Sequence, residues 1–158
     1  ALGDWLRSTA ARPRDTVALM DTGIVGYRCI DQRILDITGL TDRFIARSPG
    51  GFLDKEYDPG YVFDQKPRFI VLVLKQLGDS DEEPKEFGLS TWTLIERRMI
   101  RHPDFPRWYR KPRTAASTGE HWLDRMAHFL GASRVFLHNY PGAYYLLAVY
   151  ERQEKPNM

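Results

Sequence analysis

The chain has 158 residues, enough to bury a hydrophobic core within one domain. Its 23 Lys plus Arg against 21 Asp plus Glu give a formal net charge of +2, which excludes the large basic field that holds a nucleic-acid backbone. The single cysteine, Cys29, excludes an internal disulfide and a zinc site built on cysteines.

The first third of the chain alternates between helical and extended patterns. Apolar side chains at helical spacing predict a short amphipathic helix over Leu2–Ala11, and the run DTVALM, residues 15–20, predicts a buried strand. The segment RILDITGL, residues 33–40, predicts a second short strand that ends in a glycine turn. Thr41 or Asp42 is then expected to serve as the N-cap of a helical turn.

The middle of the chain predicts two helices and one strand. Asp58 as N-cap and Pro59 at the first helical position predict a short helix, followed by a strand over Phe69–Leu74 that is covered on both faces. Ser90 or Thr91 is expected to cap a helix that ends near residue 101.

The segment FPRWYRKPR, residues 105–113, interleaves aromatic and basic side chains and has two interpretations. Rings beside hydrogen-bond donors serve the recognition of a nucleotide, an anionic lipid headgroup or a sugar. The same pattern is also typical of an exposed edge strand that charge protects from pairing. Trp108 and Tyr109 are the candidate binding residues of this segment.

The last third predicts a helix and a hairpin. Residues 120–133 form an amphipathic pattern that stops at Gly131, and two strands flank residues 139–142. The whole order predicts a single α/β domain over residues 1–158, with a mixed, mostly parallel sheet flanked by helices and a C-terminal antiparallel hairpin.

Asp21-Thr22-Gly23, directly after the first predicted strand, raises the question of catalysis. In retroviral-type aspartic proteases two such loops meet, and two carboxylates share a proton to activate water. One copy per chain would require a dimer, and Ile24 stands where those loops place a small residue. The alternative is an ordinary turn at the exit of a buried strand.

Metal and cofactor sites are not predicted. His121, Asp124 and His128 have spacings that a helix face could offer to a metal ion. However, the two histidines are about 10 Å apart along a helix axis, which favours a solvated polar face instead.

Three segments carry a resemblance to a known family: residues 21–47, from DTGIVGYRC to FIAR, residues 50–74, which end in KPRFIVLVL, and YYLLAVYER, residues 144–152. They resemble the soluble C-terminal domain of bacterial polytopic membrane glycosyltransferases of the mannosyltransferase and arabinofuranosyltransferase type. Those enzymes use lipid-phosphate-linked sugars. The landmarks of the resemblance are Trp5-Leu6, Asp21, Gly23, Tyr27, Asp36, Gly39, Leu40, Thr41, Asp42 and Ile45-Ala46.

The resemblance implies an accessory domain that lies on the extracytoplasmic face of a bacterial inner membrane and has no turnover by itself. Its partner would be the transmembrane part of the same polypeptide, with the present chain as a fragment, and its ligand a glycan or a lipid-linked sugar. The expected ligand-binding residues are Asp21, Tyr27, Asp36, Asp42, Trp108 and Tyr109. The alternatives are a stand-alone aspartic-type hydrolase that uses Asp21 and a protein-interaction module.

Overall fold

The computed structural model of the chain describes residues 2–9, 12, 15–20, 22–77, 93–111, 122–140 and 143–157. Its five-stranded sheet has the order β2-β1-β3-β5-β4. β1 pairs in parallel with β2 and β3, whereas β5 is antiparallel to β3 and β4. This mixed sheet with its terminal hairpin confirms the predicted fold class. The strands are β1 Thr16–Leu19, β2 Arg33–Asp36, β3 Phe69–Leu77, β4 Arg134–Tyr140 and β5 Ala143–Glu151.

Helices cover both faces of the sheet. The helices of the described ranges are α1 Leu2–Thr9, α2 Gly23–Arg28, α3 Arg43–Arg47, α4 Gly60–Asp64, α5 Leu94–Arg101, α6 Asp104–Trp108 and α7 Trp122–Leu130. α1 and α2 place Leu6 and Val25 in the hydrophobic cluster on one face. α3 to α7 contribute Ile45, Phe63 and Met99, among others, to the cluster on the opposite face.

β3 contributes side chains to both hydrophobic clusters. Successive side chains of a strand point to opposite faces. Phe69, Val71 and Val73 accordingly lie in the cluster under α1 and α2, and Ile70 and Leu72 lie in the other cluster. The strand is therefore covered on both faces, as its continuous apolar run predicts.

Three helix starts differ from the sequence-based expectation. At α4 the N-cap is Pro59 instead of Asp58, and the helix begins one residue later than predicted. α2 was not predicted, because a six-residue helix with two glycines is too short to show a helical period. α5 is capped by Thr93 instead of Ser90 or Thr91. Thr93 has Glu96 three residues later, so the two residues form a capping box that the earlier candidates lack.

The described part of the aromatic and basic segment, through residue 111, begins with the helix α6 and contains no strand, so the interpretation of this segment as an edge strand was wrong there. Phe105 and Tyr109 are both fully buried, and the N–H of Tyr109 donates to the carbonyl of Phe105 at 2.9 Å. A spacing of four residues places both rings on one helix face. The segment thus has the helical period instead of the strand period.

α7 ends as predicted, at a glycine. Gly131 has φ +65°, the left-handed conformation in which glycine terminates helices. Within the described ranges, no helix is long and apolar enough to cross a membrane.

Candidate functional site

A buried carboxylate organises the loop that follows β2. Asp36 is fully buried, and its Oδ1 accepts hydrogen bonds from the backbone N–H of Thr38 at 2.9 Å and of Gly39 at 3.1 Å. Its Oδ2 accepts from the backbone N–H of Thr41 at 2.7 Å. The hydroxyl of Thr38 donates to Oδ1 as well, at 2.7 Å. Asp36 therefore holds the loop and fixes the point at which α3 begins.

α3 is anchored at both of its ends. Asp42 is its N-cap, and Oδ1 of this residue accepts from the N–H of Ile45 at 3.0 Å. Ile45 is fully buried and ties the helix to the core. At the other end, Nζ of Lys55 donates to the carbonyls of Ala46 and Ser48, at 3.0 and 3.1 Å. The helix has one turn, but its position is fixed.

An aromatic pair lies beside this helix. The rings of Phe44 and Tyr61 stack with centroids 4.2 Å apart and planes inclined by 26°. The hydroxyl of Tyr61 donates to Oδ2 of Asp42 at 3.0 Å, and this bond holds the ring of Tyr61 against α3. Phe44 is 53% exposed, so its ring presents an open apolar surface.

These side chains line an open cavity of about 570 Å³, which we call the α3 cleft. A cavity of this size lies within the range of small-molecule sites. The lining residues are Asp42, Arg43, Phe44, Arg47, Ser48 and Tyr61.

The α3 cleft is lined by two arginines and one carboxylate. Burial and the hydrogen bond to Asp42 raise the pKa of Tyr61, so this phenol stays protonated and continues to donate at neutral pH. Both oxygens of Asp42 already accept a hydrogen bond from the protein. Arg43 and Arg47 form no ion pair with any carboxylate of the described ranges. The cleft therefore has two unneutralised cations beside an aromatic face.

The α3 cleft lies beyond the carboxyl end of β2, at the edge of the sheet. The connection from β1 to β2 passes over one face, and the connection from β2 to β3 passes over the other. In α/β sheets, ligands bind beyond the carboxyl ends of strands. Within such sheets the ligand position is the topological switch point, which for the order β2-β1-β3 lies between β1 and β3, so the topology does not mark the edge position of the α3 cleft.

Tyr27, another predicted site residue, lies away from the α3 cleft. Tyr27 is 83% exposed at the last turn of α2, which returns toward the amino end of β2, whereas the α3 cleft is at the carboxyl end. Asp21 lies outside the described residues, so its role stays a prediction. The chain enters α2 two residues later, at Gly23.

Trp108, the last residue of α6, and Tyr109, its C-cap, do not line the α3 cleft. Tyr109 is fully buried and its hydroxyl donates to the carbonyl of Pro67 at 2.7 Å, so it packs in the core. Trp108 is half-buried, and the guanidinium of Arg152 lies over its ring at 4.5 Å. Burial raises the pKa of Tyr109 far above its usual range.

No cluster of three potential metal ligands occurs in the part of the chain that the structure describes. Asp124 and His128 lie on α7, and His121 lies outside the described residues. Cys29 is buried, with its Sγ 3.5 Å from the carbonyl oxygen of Gly3. Burial raises the pKa of this thiol, which keeps it unreactive.

Sequence reasoning identified Asp42 but missed the rest of the cleft. Phe44 and Ile45 are adjacent on a single helical turn, so they cannot both face the core. This pattern is a signal for an exposed aromatic side chain. The contact with Tyr61 joins positions 17 residues apart, and no local pattern predicts it. The missed lining residues are Arg43, Phe44, Arg47, Ser48 and Tyr61.

The comparisons with known proteins give one match. A family model described as a domain of unknown function (DUF8728) matches residues 1–124, well over half of the chain and all of the α3 cleft. No curated protein and no solved structure matches.

Proposed function

We propose that this chain, which belongs to the DUF8728 family of domains of unknown function, is an accessory domain of a bacterial membrane glycosyltransferase. In this proposal the enzyme uses lipid-phosphate-linked sugars, and the transmembrane part belongs to the same polypeptide. The domain lies on the extracytoplasmic face of the inner membrane. It binds a glycan or a lipid-linked sugar and performs no turnover by itself.

The resemblance to such domains supports the proposal through the segment that builds the α3 cleft. Its landmarks from Asp36 to Asp42 form the loop that positions α3. The resembling segments extend over α2, β2 and α3, then over α4 and most of β3, and finally over most of β5. The residues that carry the resemblance thus also support the site.

The observation that carries the proposal is the exposed ring of Phe44, stacked on Tyr61 in an open cleft. An aromatic face packs against the apolar face of a sugar ring, and polar groups around it bind the hydroxyls. Each carboxylate oxygen has more than one lone pair, so Asp42 can accept from a sugar hydroxyl as well as from the protein.

Glycan binding is tested by titrating the domain with monosaccharides and short glycans while its amide NMR signals are recorded. We expect shifts in residues of the α3 cleft, and we expect Phe44→Ala to weaken binding severalfold. The matched control is Phe52→Ala, because Phe52 is 51% exposed and does not line the cleft. Absence of any carbohydrate binding, or equal losses in both variants, would overturn the glycan-binding role.

The membrane context is tested separately in the gene. We expect the reading frame upstream of Ala1 to encode several apolar membrane spans. A reading frame that starts near Ala1 would reject the accessory role and leave the binding site to be explained on its own.

A further inference from the structure

We propose that the α3 cleft contains an anion subsite, in which Arg43 and Arg47 bind the phosphate of a sugar phosphate ester. The inference rests on the proposed function for the sugar ring, which stacks on Phe44. It adds to that function the charge of the ligand and the two residues that recognise it.

The spacing of the two arginines is the first argument. Residues four apart on a helix lie on the same face, with Cβ atoms about 5–6 Å apart. Arg43 and Arg47 are the first and last residues of α3, and both line the cleft. Their guanidinium groups can therefore converge on one anion.

The second argument is that the protein does not neutralise this pair. Like charges four residues apart repel and destabilise a helix. Asp42, the nearest carboxylate in the chain, is bound by the N–H of Ile45 and the hydroxyl of Tyr61. Asp36 is buried and accepts hydrogen bonds from its own loop. Asp54 and Glu56, the first carboxylates after the helix, are exposed, and neither pairs with these arginines. A bound anion would remove the repulsion.

The chemistry of the guanidinium group selects the ligand. Its planar set of donors matches the oxygens of a phosphate and can bind two of them at once. The exposed face of Phe44 borders the same cavity, so an anion held by the arginines would lie next to an apolar surface. A phosphate attached to a sugar ring satisfies both features. A soluble sugar phosphate and a lipid headgroup with a ring on its phosphate share this chemistry.

The test compares charged and uncharged ligands of the same ring. Affinities of the domain for glucose 1-phosphate, methyl glucoside and inorganic phosphate are measured by calorimetry. We expect glucose 1-phosphate to bind about tenfold more tightly than methyl glucoside, the effect of one charge-assisted hydrogen bond. The double variant Arg43→Gln/Arg47→Gln is expected to abolish this preference.

α5 offers a matched control. Arg97 and Arg101 have the same spacing and are exposed, but they do not line the α3 cleft. Arg97→Gln/Arg101→Gln changes the net charge by the same amount, so it is expected to keep the preference for the phosphate ester. Thermal unfolding of both double variants verifies that they fold.

The outcomes separate this inference from the proposed function. Equal binding of glucose 1-phosphate and methyl glucoside would overturn the anion subsite and leave glycan binding intact. Binding of inorganic phosphate alone, lost in the Arg43/Arg47 variant, would support the subsite and reject the glycan role. A preference that survives in the Arg43/Arg47 variant would overturn the assignment of these residues.

The source of the phosphate is tested with vesicles of phosphatidylcholine with and without phosphatidylinositol, a lipid that carries a ring on its phosphate. Sedimentation with only the phosphatidylinositol vesicles, lost in the Arg43/Arg47 variant, would assign the subsite to a lipid headgroup. Binding of glucose 1-phosphate without sedimentation would assign it to a soluble ester. Failure of glucose 1-phosphate, inorganic phosphate and the phosphatidylinositol vesicles alike would overturn the subsite.

Discussion

The side chain of Glu96 joins the start of α5 to the central strand, because its Oε1 accepts a hydrogen bond from the N–H of Val73 at 2.7 Å. Its Oε2 accepts from the backbone N–H and the hydroxyl of Thr93, both at 3.0 Å. The register of β3 against β5 shifts between Val73 and Lys75. One fully buried carboxylate thus fixes a helix start and the strand beside an irregularity.

We expect Glu96→Gln to lower the free energy of unfolding by about 2–4 kcal/mol, because an amide NH₂ would face donors that need an acceptor. Urea unfolding measures the change. The control is Glu56→Gln, since Glu56 is exposed. A loss no larger than that of the control would contradict the role of Glu96.

A second stability prediction concerns Asp36. Asp36→Ala leaves the N–H groups of Thr38, Gly39 and Thr41 without their acceptor, and we expect a loss of about 3 kcal/mol. Because this loop sets the position of α3, amide exchange in α3 should also accelerate. Asp64→Ala, at an exposed position, serves as the control. Unchanged exchange in α3 would show that Asp36 does not position the cleft.

Two adjacent glycines provide a matched pair of variants. Gly50 has φ +94°, and a Cβ at this position would collide with the carbonyl oxygen of Asp54. Gly51 has open space around it. We expect Gly50→Ala to cost about 2 kcal/mol or more and Gly51→Ala to stay within about 0.5 kcal/mol of the wild type. Similar melting temperatures for the two variants would contradict the strain at Gly50.

Removal of the hydroxyl should change the free energy of unfolding differently at two buried tyrosines, Tyr57 and Tyr150. The hydroxyl of Tyr57 donates to the carbonyl of Ile37 at 2.9 Å, whereas that of Tyr150 has no partner among the described residues. Tyr57→Phe is therefore expected to cost about 1 kcal/mol, and Tyr150→Phe to be neutral or stabilising. Chemical denaturation of both variants measures the difference, and a larger loss for Tyr150→Phe would refute it.

Alkaline pH should lower the free energy of unfolding through the deprotonation of Tyr57 and Tyr150. Burial raises the pKa of Tyr150 from 10.0 to about 12, and it raises the pKa of Tyr57 further. Above pH 10 the unfolded state releases these protons first, so it binds fewer protons than the folded state. The stabilisation is complete below pH 10 and is lost as the pH rises toward 12.

Unfolding titrations at increasing pH measure this effect. Tyr150→Phe should reduce the decline in stability above pH 10, because it removes one of the titrating groups. A decline that is identical in the variant and the wild type would assign the effect to other groups.

The sequence predicted the fold better than the site. The apolar run of β3 and the amphipathic pattern of α7 are local signals, and the structure contains both elements. α6 differs from the expected edge strand because Phe105 and Tyr109 have the helical spacing of four, whereas the mixed aromatic and basic composition of the segment also suits a strand. The α3 cleft depends on a contact between Phe44 and Tyr61, which belong to separate helices. Such a contact follows from the packing of the chain, and no local pattern encodes it.

The residues after β5 bind α6, which affects the order in which parts of the chain can complete their folding. The N–H of Gln153 donates to the carbonyl of Trp108 at 2.7 Å, and the side-chain amide of Asn157 donates to the carbonyls of Pro106 and Arg110, at 2.6 and 2.7 Å. α6 is therefore hydrogen-bonded to a segment that follows about 45 residues later in the chain. The ribosome synthesises this segment after α6, at a translation rate of ~5–20 residues per second. During that interval the backbone carbonyls of Pro106, Trp108 and Arg110 lack these donors, so residues 153–157 complete the carboxyl end of α6 only after their own synthesis.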